Sequence, residues 1–381
     1  VINVSPMLPL DAVWQAARAH PAYAAASLSE RMPSPGSTLW HGLPTLRKDS
    51  LRLHATAGAD RWQWGTMLYF TSGTSSAPMM LPLSAPDLER IARYCADMTR
   101  LEEIQPGARV LVLLPMALWA AGTVTVNGHR LAGGHVFPVD LHGGPETWQR
   151  YADIICPTVV SSTPSVLFRW AARYRGPPVR VLETTGEPLS DEQRATIASG
   201  FGGRVHDAYG LSECVVGAEC RMGNGFHFSP QAVIVDVLCP DRDEPVPAGA
   251  IGEITLTSLM QEALPILRYR TGDRGQLAVD TCPCGSRWPR VHHLGRIAQT
   301  WLMPRGVTAS PAEVLEALAA AGFGGCSAAW KETENIQALE IRGPGLPSPE
   351  RLAAVLACEL PHLGELLNEN EIFLYVRDTI R

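Results

Sequence analysis

Lysine is almost missing from this chain. Of 32 basic residues among 381, only Lys48 and Lys331 are lysines. Basic charge is also outweighed, with 38 acidic residues and a net charge of −6. A protein that coats nucleic acid carries the opposite balance, so nucleic acid is not an expected partner. Long apolar runs are lacking too. The longest, from Val110 to Val126, is broken by Pro115 and Gly122, so no membrane span is expected. The opening residues, VINVSPMLPL, have no basic stretch ahead of an apolar one, so no signal peptide is read. The nine cysteines are an odd number thinly spread, unlike a disulfide-stapled scaffold. The cytoplasm is the expected location.

What is present is enough apolar residue, 46% against 18% charged, to bury a large core. The length suggests two domains. Residues 1–60 read as helical pieces. From about 65 to 215, short apolar strands alternate with helical stretches, the pattern of a layered α/β domain with a mostly parallel sheet. From 226 to 280 the texture becomes strand–turn–strand, suggesting a barrel-like antiparallel subdomain. A smaller unit follows. Its β-α-β-β-α-β order predicts a ferredoxin-like α+β fold, with a helix start at Ser310, Pro311 and Glu313. The expected division is 1–296 and 297–381.

Several motifs carry chemistry. Thr71, Ser72, Gly73, Thr74 and Ser75 follow the strand-like MLYF, and such small hydroxyl residues can wrap a phosphate. Alone, they would also suit a solvated loop. Thr185-Gly186-Glu187-Pro188 follows another strand. Asp207-Ala208-Tyr209-Gly210-Leu211-Ser212-Glu213 follows a strand-like GRVH, Tyr269-Arg270-Thr271-Gly272-Asp273 precedes a turn, and Gly295-Arg296 closes the large domain. In that order and spacing these motifs resemble those of the adenylate-forming superfamily of acyl-CoA ligases, adenylation domains and luciferases. Within it, the chain is most similar to the phenylacetate–CoA ligase branch. The absence of a lysine after Pro78, the run Thr163-Pro164-Ser165 and the CPCG string at Cys282 carry that likeness. Its short length and altered motifs resemble an atypical member from phenazine (griseoluteate) antibiotic biosynthesis.

The resemblance implies roles. Asp273 suits both ribose hydroxyls, and Arg296 the ribose or the phosphates. Tyr209 would lie on the adenine, with Thr185, Gly186, Glu187 and Pro188 opposite. Thr71 and Ser212 would contact phosphate, and Glu213 would hold magnesium. Taken singly, Asp273 could cap a turn and Tyr209 could be core. Cys220, His227, Cys282 and Cys284 form a set of three sulfurs and an imidazole suited to structural zinc, and similar positions recur in the branch. Buried thiols and a surface histidine would read the same way. Trp119 and Gly122 occupy the place where relatives line the acid pocket, although a core helix would look alike.

Three features depart from the family. Relatives carry a lysine near the C-terminus that neutralises charge at the transferring phosphoryl group, and no lysine follows Lys331 here. The acidic hinge residue after the Gly-Arg pair is replaced by Ile297, Ala298 and Gln299, and Ser76 replaces the second loop glycine. The expected activity is ATP- and magnesium-dependent activation of a carboxylic acid, aromatic by expectation. The acyl group would pass to CoA, a carrier protein's thiol or a reductase. A homodimer is compatible with this. The alternatives are a nucleotide-binding protein that has lost catalysis, and adenylylation of a non-thiol acceptor.

Overall fold

The computed structural model describes residues 6–54, 65–71, 79–117, 119–139, 141, 143–240, 242–297, 301–304, 308–309, 311–323, 325–333, 336–368 and 371–378. They form two compact units. One comprises the described residues up to Thr71 and from Met80 to Ile297, the other Met79 and the described residues after Ile297.

An eleven-stranded sheet organises the first unit. Its parallel half runs from the edge strand His135–Pro138 through Arg109–Leu113, Val159–Ser162 and Val181–Thr185 to Arg204–Leu211. Val110, Leu111, Val112 and Leu113 are all fully buried. A continuous apolar run of this kind belongs to a strand covered on both faces. Helices connect these strands, and local sequence sets their ends. Ser190 and Gln193 form a capping box at the start of Asp191–Phe201, and Gly202, at φ +70°, ends it. Trp148, Trp170, Tyr174 and Phe201 anchor the core beside the sheet, with Trp170 meeting Phe201 edge-on at 5.1 Å.

The turn-rich stretch after 226 supplies antiparallel strands, but they continue the same sheet instead of standing apart as a barrel. From the parallel edge the order goes on through Cys214–Glu219, Phe226–His227, Arg290–Arg296, Tyr269–Leu277, Gly252–Ser258 and Val233–Leu238. The two-residue strand Phe226–His227 makes the join. His227 pairs with Ala218 on one side and with Arg290 on the other. Gly217 permits the approach, since a Cβ there would lie 2.2 Å from the His227 carbonyl oxygen.

Two motifs lie inside strands, not beside them. The strand expected to end near His206 runs to Leu211, and Tyr269-Arg270-Thr271-Gly272-Asp273 opens the strand Tyr269–Leu277. The N-terminal segment is fastened to that second strand. Leu46 N–H donates to the Arg268 carbonyl at 3.0 Å, and the Leu46 carbonyl accepts from Arg270 N–H at 2.8 Å.

In the second unit the expected elements follow in order, with a further short strand, Thr308–Ala309, and a further helix, Pro361–Asn368, but the pairing is not ferredoxin-like. Among the described residues, Trp301–Leu302 pairs antiparallel with Thr308–Ala309 and does not join the larger sheet of this unit. The three-stranded sheet orders Ser327–Thr333, Ile336–Gly343 and Phe373–Asp378, the last strand lying parallel to the second. Helices Pro349–Glu359 and Pro361–Asn368 make the crossover, burying Leu352, Leu356 and Leu366. Ser310 and the Glu313 side chain lie outside the described residues, as do Ala298 and Gln299. Among the described residues, no helix is long and apolar enough to cross a membrane.

Candidate active site and cysteine–histidine cluster

Strand direction reverses between Arg204–Leu211 and Cys214–Glu219, and the turn between them is Ser212-Glu213. Ligands of α/β sheets gather outside the carboxyl ends of the parallel strands, and this turn follows the carboxyl end of the last of them. Ser212 is exposed there while Glu213 is buried. The Tyr269 hydroxyl donates to Glu213 Oε1 at 3.0 Å. Lys48 Nζ stands 3.8 Å from the same oxygen.

A second tyrosine–carboxylate bond runs the other way. Tyr209, on the last parallel strand, donates its hydroxyl to Asp273 Oδ2 at 2.7 Å. Each side of the reversal thus gives a tyrosine to the other side's acid. Arg296, the cross-strand partner of Asp273, places Nε 3.0 Å from Oδ1 and donates from Nη1 to the Thr271 carbonyl at 2.9 Å. His293 Nε2 stands 3.5 Å from the same Oδ1. Burial would raise the Asp273 carboxyl, but His293 and Arg296 outweigh it and hold the group below its usual range. Burial first, then the facing carboxylates, pushes both tyrosine hydroxyls well above theirs. Both therefore remain donors at neutral pH. The Thr271-Gly272 corner is held from below: Gly272, at φ +75°, donates its N–H to Glu253 Oε1 at 3.1 Å, and Glu253 also pairs with the buried Arg270.

Other expected residues are placed less openly. Tyr209 is buried, its ring tilted against Phe226 at 5.5 Å and His293 at 5.0 Å. Glu187 caps the helix Pro164–Ala171, accepting from Ser165 N–H and Oγ, each at 2.9 Å. Gly186 and Pro188 are exposed, and Thr185 Oγ1 donates to the Ala208 carbonyl at 3.2 Å. Ala208 and Gly210 are half-buried on the strand. Asp207 accepts from Thr184 Oγ1 at 2.6 Å, and burial pushes its carboxyl up to about 7. Thr71 is buried at the end of its strand, while Ser72, Gly73, Thr74 and Ser75 lie outside the described residues. Trp119 is half-buried immediately before the helix Ala120–Leu131. Gly122 lies against the loop before it, where a Cβ would come within 2.3 Å of the Pro115 carbonyl oxygen.

Cys220, His227, Cys282 and Cys284 converge. Their ligand atoms all lie within 4.8 Å of one another. Cys220 and Cys282 sulfurs are 3.6 Å apart, and Cys284 Sγ is 3.5 Å from His227 Nε2. Edges of about 3.7 Å are what a tetrahedron with zinc–sulfur bonds near 2.3 Å requires. Met222 N–H donates to Cys220 Sγ at 3.4 Å and Ser286 N–H to Cys284 Sγ at 3.3 Å. His227 Nδ1 lies 2.8 Å from the Trp288 carbonyl, which leaves Nε2 free of the proton. Burial lowers the His227 pKa, keeping the ring neutral. All nine cysteines are free.

Sequence reasoning missed Tyr269, His293 and Lys48 as members of this site. Tyr269 lay in a motif read for its aspartate, and His293 stands three residues before Arg296. Only its rarity marked Lys48.

The chain belongs to the AMP-binding enzyme family, whose model matches residues 40–260. It is similar to a phenylacetate–coenzyme A ligase of Thermus thermophilus, 28% identical over 285 residues, 71% of this chain and 64% of that protein. A phenylacetate–coenzyme A ligase of Pseudomonas putida is 29% identical over 265 residues, 65% of this chain and 58% of that one. The chain thus spans less than two-thirds of the length of these curated relatives. The relatives fit the phenylacetate–CoA ligase-like branch. Among solved structures, 2-hydroxyisobutyryl-CoA ligase in complex with 2-HIB-AMP and CoA superposes with a TM-score of 0.81. The match covers 98% of this chain and 86% of that one at 21% identity, which establishes the shared fold.

Proposed function

We propose that this protein activates a carboxylic acid with ATP, forming an acyl-adenylate and pyrophosphate, and then passes the acyl group to a thiol such as that of CoA. The carrying observation is the reciprocal pair of tyrosine–carboxylate bonds, which sets Asp273 with Arg296 and Glu213 at one reversal of strand direction. Held below its usual pKa, Asp273 is an ionised acceptor for the two ribose hydroxyls. Arg296 fixes that carboxylate and offers its remaining donors to the ribose or phosphates. Glu213 is a hard carboxylate suited to magnesium, which when bound would offset charge on the phosphates. Ser212, exposed at the same turn, and Thr71 would add hydroxyl donors. Trp119, half-buried just before the helix that carries the close-packed Gly122, favours a flat, aromatic acid. The names of the relatives support a CoA acceptor, and a place in secondary metabolism follows the phenazine-pathway likeness.

Acid-dependent pyrophosphate release by the purified protein tests this reading. Release with at least one member of a panel of aromatic and small hydroxy acids is the expected result. Nucleotide binding without release for any acid would favour a protein that only holds the nucleotide.

The same reading includes one structural zinc held by Cys220, His227, Cys282 and Cys284. All four positions are protein ligands, so none remains for water or substrate. Elemental analysis of protein purified without added metal should give about one zinc per chain. Cys284→Ser should weaken zinc by more than the ~10–100-fold that loss of an outer-shell partner costs, and lower the melting temperature with it. Zinc-free protein of unchanged stability would reduce the cluster to ordinary thiols.

A further inference from the structure

Resting on the acid-activation reading above, we propose that Lys48 is a phosphate-binding residue of this site, the cation that meets the nucleotide's phosphate chain beside Glu213. It is one of two lysines in a chain whose other basic residues are arginine. Lys331, in the second unit, is paired with Glu340 at 2.9 Å. Lys48 is held at the reversal from both directions. Two residues upstream, Leu46 is bonded into the backbone on either side of Tyr269. Three residues downstream, Leu51 is fully buried and pins the helix Lys48–His54. The ammonium group therefore stands beside the Tyr269–Glu213 hydrogen bond, 3.8 Å from the oxygen that Tyr269 also uses.

Stability does not explain this placement. The Lys48 side chain is 42% exposed, and an ion pair that wet adds little. Lysine also differs from the arginine used elsewhere in the chain. Its ammonium is a compact charge on a flexible stem, able to leave one acceptor and take another, whereas a guanidinium fork fixes two oxygens at once. Glu213, itself fixed by Tyr269, holds the lysine at the reversal until a phosphate oxygen replaces the carboxylate as its partner. In the proposed reaction the acid's oxygen bonds to the α-phosphorus. The bond from that phosphorus to the bridging oxygen breaks, and its electron pair leaves with pyrophosphate. Lys48 transfers nothing. Its charge offsets the phosphate oxygens, and its departure leaves Glu213 to the metal.

Titration of the full chain and of Lys48→Ala and Lys48→Arg with adenosine and with magnesium–ATP tests this, alongside pyrophosphate release. Lys48→Ala should bind magnesium–ATP about ten- to a hundredfold more weakly, the range for a hydrogen bond between charged groups, with adenosine affinity within about twofold. Lys48→Arg should recover most of the loss in ATP affinity. Unchanged or tighter ATP binding by Lys48→Ala overturns the proposal and makes the lysine a counter-ion that the metal displaces. An equal loss for adenosine also overturns it, because the residue would then be structural. If the Ala variant misfolds, Lys48→Gln repeats the comparison. If wild type binds ATP but releases no pyrophosphate with any acid, acid activation fails while the ATP-to-adenosine comparison still decides Lys48.

Discussion

Along the parallel half of the large sheet the strands are short and helix-covered over an apolar and aromatic core, and the polar groups buried there, such as Glu183 against His129, are spent on one another. Across the reversal, strands other than the two-residue Phe226–His227 are longer, two of their pairings are bulged, and they carry Asp273, His293, Arg296, Tyr269, His227 and the CPCG loop. The parallel half contributes its last strand and that strand's turn, with Tyr209, Ser212 and Glu213. One half behaves as scaffold and the other as equipment. Polar groups can be held at fixed geometry only where a rigid, fully covered layer lies beside them.

The largest blow to that division is a change in the scaffold. Trp170→Ala should cost about 3–5 kcal/mol of stability, because a fully buried indole packed on Phe201 leaves a cavity. Chemical denaturation reads this directly. If the protein stays folded, its nucleotide affinity should be nearly unchanged. A large loss of affinity at equal folded fraction would show that the halves are not separable.

Next comes Asp207, which sits on the boundary. Its carboxyl is raised in the fold to about 7 by burial, above the unfolded value near 3.9. The native state therefore binds the extra proton between those two values, and stability falls as pH rises through that window. Asp207→Asn removes the penalty. Its stability relative to wild type should improve by on the order of 2 kcal/mol between pH 5 and pH 8. A gap that does not change with pH would mean that Asp207 is ionised and paired in the fold.

An effect of similar size, on binding and not on stability, falls on the equipped half. Asp273→Ala should weaken AMP binding by about 1.5–3 kcal/mol, through lost hydrogen bonds to a charged acceptor. Trp119→Ala should move AMP affinity less and acid selectivity more. Isothermal titration with AMP measures the first, and a panel of acids the second. Equal AMP affinity in wild type and Asp273→Ala would remove the ribose assignment.

The sequence made the parallel half legible because its strands announce themselves. Runs such as Arg109–Leu113 and Val159–Ser162 are apolar, short and bounded by turn residues. The antiparallel half was legible as strands but not as a continuation of the same sheet. The join depends on Phe226–His227, too short to show any period, and on Gly217, whose need for close approach appears only in three dimensions. Asp273, Glu213 and Arg296 could be picked out because they stand in ordered motifs. Tyr269 and His293 could not, since their part comes from cross-strand partners far apart in the chain. Lys48 was hidden further still. Its neighbour Glu213 is 165 positions away, and the Leu46 bridge and the buried Leu51 bring the two together. In the second unit the order of elements was readable, but whether the last strand lies beside the first or the third depends on long-range pairing that no local pattern encodes.

The two-residue strand Phe226–His227 has a further consequence for how the chain reaches this state. Neighbouring residues of a strand face opposite sides, so a slip by a single position would turn His227 away from the sulfurs and bring Phe226 among them. A ladder of two rungs is too short to exclude that error by itself. The four ligand atoms meet only in the correct alignment, so the cluster acts as a gauge, and a chain joined one step out cannot close it. A metal ion taken up there would reward the right splice and leave the wrong one unsealed. The halves of the sheet would then be joined in alignment before any nucleotide arrives.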